Sequence, residues 1–231
     1  MVPAPRETPT IAVAARPRTL VLVVAAEVID AVMLGPTGMV IGHPTQVPSG
    51  PEPRGCFERM WPELEPFGEF DRITVMTRAG LGADWSPSMI ARELERQSLR
   101  PVRLTTVAEL RWSHVIRSSG VELVIALGAD VESSLFLDGV PVPGLALGRH
   151  RFRKGRTYQQ YLAPRVLERK GPRAWNKRLA RAVDDILAVW NPSMLYLALP
   201  SDLTIELELG PTVVIVPAPT EFEGALALWA T

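Results

Sequence analysis

The chain has a single cysteine, Cys56. One thiol forms no disulfide framework and no cysteine-based zinc site, and it suits a reducing, cytoplasmic setting. The three histidines, His43, His114 and His150, stand far apart, with no His-x-x-x-His pair and no Cys/His spacing, so the pattern predicts no metal site. No stretch of about 18 apolar residues is free of charge or proline, so no membrane span is expected. The N-terminus, MVPAPRETPTIAVAARPRT, lacks the apolar core of a secretory signal. Residues 1–18 are expected to form a flexible tail, with room for a docking peptide. Net charge is also lacking: 25 Lys and Arg balance 25 Asp and Glu, so the whole-molecule charge names no partner. Neither a Gly-x-x-x-x-Gly-Lys-Ser/Thr loop, nor a Gly-x-Ser-x-Gly elbow, nor a dinucleotide fingerprint is present.

What the chain does have is 231 residues at 47% hydrophobic content, enough for one large domain or two small ones. It also repeats itself. LVLVVAAEVIDAVMLGPTG, from Leu20, reads as strand, tight connection and strand. LVIALGADVESSLFLDG, from Leu123, reads the same way, and the two align without a gap from Leu20/Leu123 to Leu34/Leu137. After the first hairpin, Met39–Ile41 can return as a short strand. His43 to Arg54 is Pro- and Gly-rich and is expected to be loop. A short helix is expected around Phe57–Leu64, a strand at Ile73–Thr77 and a helix from Ser86-Pro87 to about Ser98. A strand at Val102–Thr106 and a helix at Val107–Arg117 complete the first half.

The second half opens with Glu122–Leu127 and Ser134–Leu137. Tyr158 to Trp190 is helical by pattern, interrupted at Gly171-Pro172. Met194–Leu199 and Val213–Val216 read as strands. Leu203–Leu209 is open between strand and helix. Glu221–Trp229 is expected to be a final helix. A β-β-β-α-β-α order written twice is the plan of the duplicated ribonuclease-H-like, actin/hexokinase-type α/β fold, two lobes around a cleft. The expected lobes are 19–118 and 119–231, the second with a helical insertion at about 156–190.

Leu123–Gly139, Val140-Pro141-Val142-Pro143, Leu147-Gly148, Trp190 with Asn191-Pro192, Thr212–Val216 and Gly224–Ala227 carry a resemblance to ROK-family sugar kinases, closest to bacterial polyphosphate glucokinases. The resemblance implies a first phosphate loop reading Asp-Ile-Gly-Gly-Thr/Ser. Here those residues are Val23-Val24-Ala25-Ala26-Glu27, with Val23 for the Asp and a Cβ on both glycine positions. The implied second loop, Gly-Thr-Gly-Ile-Gly-Ser, is here Gly128-Ala129-Asp130-Val131-Glu132-Ser133. The adenosine-side Gly-Gly-Gly is Ala198-Leu199-Pro200, and the sugar-binding Glu-x-Gly-His is Ala146-Leu147-Gly148-Arg149. The general base of the implied Asn-Asp-Ala-Asp falls on Val107, which accepts no proton; Glu109 stands at the second Asp.

From these departures the expectation is a chain that is not an enzyme: a pseudokinase with no cofactor, acting as a binding, scaffolding or regulatory subunit. The partner would be a protein not named by the sequence. Homodimerisation is implied by the resemblance, with the Asp184–Trp190 helix and the C-terminal helix as interface pieces. One alternative is a non-catalytic sensor of a sugar, nucleotide or polyphosphate in the remnant cleft. Another is a rewired enzyme using Glu109. Glu27, Asp130 and Glu132 either meet around a divalent cation, or are solvated loop carboxylates, or pair with arginines and close the cleft.

The strongest signal outside the motifs is charge. Between Arg149 and Arg181 stand twelve Lys and Arg and one acid, Glu168, with Tyr158, Tyr161 and Trp175 interleaved. Arg149, Arg151, Arg153, Lys154, Arg156, Arg173, Lys177 and Arg178 are the candidate polyanion-binding residues, for polyphosphate or nucleic acid. The plain alternative is solvated helix faces matched by Asp184, Asp185 or a partner chain.

Overall fold

The structure is a computed structural model that describes residues 17–78, 80–82, 85–203, 205–219 and 221–230. The expected tail lies, up to residue 16, outside the described residues. Two compact units divide between Arg103 and Leu104.

The first unit is built on β1 (Thr19–Val24), β2 (Val28–Leu34), β3 (Val40–Pro48), β4 (Arg72–Thr77) and β5 (Val102–Thr105), ordered β3-β2-β1-β4-β5. β1 pairs antiparallel with β2 and parallel with β4. Helix α1 (Pro53–Leu64) leads to β4, and α2 (Pro87–Ser98) leads from β4 to β5. β1 is buried at every position, so it reads as an unbroken apolar run rather than an alternating one. Leu20, Leu22 and Val24 pack with Phe57 and Met60 of α1 and Ile90 and Leu94 of α2. The Ser86 hydroxyl accepts the Met89 amide at 3.3 Å and caps α2, as the Ser-Pro start predicts.

The third strand corrects the expected loop. β3 runs on through Pro44 to Pro48 because it is an edge strand, where a missing N–H costs no ladder bond. Its register slips between Met33↔Ile41 and Ala31↔Thr45, and Gly42, at φ 75°, bulges out there with its neighbours.

The second unit repeats the plan with β6 (Val121–Leu127), β7 (Val131–Leu137), β8 (Val140–Val142), β11 (Met194–Leu199) and β12 (Val213–Pro217), ordered β12-β11-β6-β7-β8. A small hairpin, β9 (Arg151–Arg153) and β10 (Arg156–Thr157), stands apart from this sheet. The two principal hairpins keep the gapless spacing, three residues between Val24 and Val28 and between Leu127 and Val131, but their pairing register differs by one. Four residues separate the last pair of the first, Val24↔Ile29; three separate Leu127↔Val131 in the second. The second turn is one residue tighter.

Helix α3 (Val107–Trp112) is shorter than expected. It lies on one face of the second sheet with Val124, Ala126, Phe136 and Tyr196 around Trp112. The repeat alone starts the second lobe at 119, but α3 groups with the second unit because the 223–225 turn sits against it. A Cβ on Gly224 would fall 2.3 Å from the Glu109 carbonyl oxygen. The opposite face carries α4 (Tyr158–Leu162), α5 (Pro164–Lys170) and α6 (Pro172–Trp190), through Tyr158, Trp175, Leu179 and Ile186 against Leu123, Ile125, Leu195 and Leu197. The predicted break at Gly171-Pro172 is present; a second, at Ala163-Pro164, follows from the same proline chemistry. The expected C-terminal helix is instead two 3-10 turns, Glu223–Ala225 and Ala227–Trp229. Residues 205–209 are neither strand nor helix.

Glu122, wholly buried at the start of β6, accepts the amides of Arg117 at 2.8 Å and Ser119 at 3.2 Å and the Tyr196 hydroxyl at 2.8 Å. It is the polar pin that holds the 117–119 loop to the sheet. Among the described residues no helix is long and apolar enough to cross a membrane.

Candidate functional site

In the β9–β10 hairpin Lys154 (φ 52°) and Gly155 (φ 71°) are both left-handed, the geometry of a two-residue type I′ turn. The turn puts Lys154 at the tip, between Arg153 and Arg156. Phe152 holds the hairpin to α4, stacked on Tyr158 at 4.5 Å and edge-on to Tyr161 at 5.0 Å. Thr157 and Gln160 close a capping box at the start of α4. The hairpin thereby lies beside α5 and α6. Arg153, Lys154 and Arg156 meet Arg169, Lys170 and Arg178 around a pocket of about 380 Å³, with Tyr161 in its wall. A second pocket, about 540 Å³, is lined by Arg156, Arg165, Arg169, Gln160 and Val166. The two share Arg156 and Arg169, so they form one track, and among the described residues no acid lines either.

Among the described residues no carboxylate pairs with these cations. Asp185, a candidate counter-charge, accepts the Tyr158 hydroxyl instead. Arg178 lies over the Tyr161 ring at 4.5 Å. Of the eight candidates the structure gathers Arg153, Lys154, Arg156 and Arg178. It adds Arg165, Arg169 and Lys170, which the charge count includes but spacing does not single out. Arg149 lines another pocket, and Arg151, Arg173 and Lys177 are exposed elsewhere. The interleaved aromatics are not stacking platforms: Tyr158, Tyr161 and Trp175 are 4%, 6% and 1% exposed. Trp175 donates its indole N–H to the Leu162 carbonyl at 2.8 Å.

The residues aligned with the phosphate and sugar motifs split between the units. In the first, the Ala25 amide donates to the Val28 carbonyl at 2.9 Å, and the Ser49 amide donates to the Glu27 carbonyl at 3.0 Å. Val23 is buried in β1. In the second, a pocket of about 670 Å³ brings together Val107 and Arg111 of α3, Asp130, Glu132 and Ser133 of the hairpin, and Gly148 and Arg149 of the following turn. Several of the pocket's polar groups have partners within the unit. Glu132 pairs with Arg111. Asp130 accepts from the Gln159 side chain at 2.8 Å, and Ser133 accepts the Leu147 amide at 2.9 Å. Of the three carboxylates Glu132 pairs with an arginine, Asp130 accepts from an amide and Glu27 is exposed; among the described residues no three His, Cys, Asp or Glu side chains are placed to hold a metal.

Gly148 survives for packing: a Cβ there would fall 2.2 Å from the Val131 carbonyl oxygen. Glu109, weighed as a replacement base, caps α3 instead, accepting the Thr106 amide at 2.8 Å and the Thr106 hydroxyl at 3.0 Å. His114, 3.4 Å from Glu223, is lowered from its ordinary pKa because burial outweighs the neighbouring carboxylate.

No family model and no curated protein matches this chain. Solved structures do. The inorganic polyphosphate/ATP-glucomannokinase of Arthrobacter sp. strain KM superposes at TM-score 0.53 and 18% identity, over 92% of this chain and 98% of its own. A putative sugar kinase from Cytophaga hutchinsonii gives 0.56 at 10% identity, over 93% and 100%. The ROK family glucokinase of Streptomyces griseus, in complex with glucose and AMPPNP, gives 0.50 at 12% identity, over 91% and 98%. The fold is therefore that of the ROK sugar kinases, two mixed five-stranded sheets of the actin/hexokinase type. These neighbours overturn the expectation that the chain is not an enzyme. These three proteins are named as kinases, and altered motif residues are not an observation of inactivity.

Proposed function

We propose that this chain binds a linear, phosphate-rich polyanion, inorganic polyphosphate, along the basic track of its second unit. One observation carries the proposal: six cations around one pocket and Arg165 in the next, joined through Arg156 and Arg169, with no acid among the described residues of either lining. Cations held together without counter-charge repel one another, and a ligand that brings several negative charges relieves this at once. The Arthrobacter protein of the same fold is named for its use of polyphosphate, which supports the choice. Single-stranded nucleic acid is disfavoured because its binding draws on exposed aromatic faces, and those beside the track are buried.

Calorimetric titration with long-chain polyphosphate and with oligo(dT) of equal charge tests this. Polyphosphate should bind, more weakly as salt rises, and oligo(dT) should bind less tightly. Absence of polyphosphate binding at low salt would overturn the proposal, and oligo(dT) binding as tightly would replace it with nucleic acid. Sugar-phosphate formation, assayed in the same samples, reports whether a bound chain also serves as a phosphoryl donor.

A further inference from the structure

The resemblance to sugar kinases implies a nucleotide at the 128–133 loop and the segment after β11. β6 and β11 are parallel neighbours, and their carboxyl ends are where ligands collect in α/β sheets. A pocket of about 400 Å³ lies there, within the size range of small-molecule sites. Its accessible walls are apolar, Pro164, Leu167, Pro200 and Leu203, over a closed base in which Trp175 is 1% exposed. A nucleotide does not fit it. Among the described residues no basic residue lines the pocket, and its charged groups are Glu168 and Asp202. The Gly128 amide, which would face a phosphate, donates to the Asp130 carbonyl at 3.1 Å. Among the described residues neither Glu168 nor Asp202 has an ion-pair partner, although twelve cations lie between Arg149 and Arg181. Helix spacing explains this for Glu168. Pro164, Leu167 and Glu168 share one side of α5, and Arg165 and Arg169 share another that lines the basic track.

We propose that this pocket is a site for an apolar organic cation, whose hydrocarbon lies against the accessible leucine and proline walls and whose positive charge Glu168 and Asp202 receive at the exposed rim. The site is separate from the basic track and stands or falls independently of it.

The probes are proflavine, a three-ring cation, anthracene-2-sulfonate, a three-ring anion, and ATP with magnesium, titrated in moderate salt to quiet the basic track. Proflavine should bind one to one. The double variant E168Q/D202N should weaken it about tenfold, as two exposed charge contacts allow. Ala129→Trp, at an exposed lining position, should abolish binding while the melting temperature holds. Two outcomes would overturn the proposal: proflavine affinity indifferent to E168Q/D202N, or ATP or the sulfonate binding as tightly as proflavine and losing that binding in Ala129→Trp. Neither outcome touches polyphosphate binding, which a cationic dye does not probe.

Discussion

Arg156 and Arg169 line both basic pockets, so removing them together should cut the track at its junction. Each exposed cation–phosphate contact contributes up to about 1 kcal/mol, so R156A/R169A should lose about 2 kcal/mol, near thirtyfold in affinity. Salt dependence gives a second, independent number. Neutralising a single-stranded polyanion releases about 0.7 counterion per contact. Seven cations line the two pockets, so the slope of log K against log salt should approach about −5 and fall by about 1.4 in the variant. Fluorescence anisotropy with end-labelled polyphosphate, at several salt concentrations, reads both. The control is R173A/K177A, which removes the same charge from exposed positions of α6 outside both pockets. It should change affinity less than about twofold. Equal losses in the two variants would show that the chain responds to overall charge, and the track would not be a site.

Two further outcomes follow from buried polar groups. Glu122→Ala strands two amides and the Tyr196 hydroxyl, and should cost about 3–5 kcal/mol, lowering the calorimetric melting temperature by roughly 8–15 °C; a loss under about 1 kcal/mol would show that the pin is dispensable. Burial depresses the folded pKa of His114, so its contribution to stability is present above about pH 6.5 and lost as the pH falls through the lower folded value. Melting temperatures from pH 8 to 5 should fall more steeply for the wild type than for His114→Gln, and parallel curves would contradict this.

The strands legible in the sequence are those with no competing signal. β1, β6 and β11 are buried along nearly their whole lengths, so they appear as continuous apolar runs whatever surrounds them. The start of α2 was legible because a Ser-Pro cap acts within one turn. β3 was hidden because its prolines are tolerated only at a sheet edge, and edge position is a property of the whole sheet. The C-terminal segment looks helical by composition, but Gly224 must meet the Glu109 and Leu110 carbonyls of a helix more than a hundred residues earlier.

The sequence by itself determined the duplicated strand order, the altered phosphate loops and the excess of cations between 149 and 181. All of these are local patterns of side-chain character along the chain. Tertiary structure alone decided which cations share a pocket. A type I′ turn and a stack of Phe152 on Tyr158 fold residues 153–156 back beside α5 and α6, and helix spacing then turns Arg165 and Arg169 toward the track and Glu168 toward the apolar pocket. Charge is written residue by residue, but a binding site depends on distances between residues far apart in sequence, and these exist only once the core has closed.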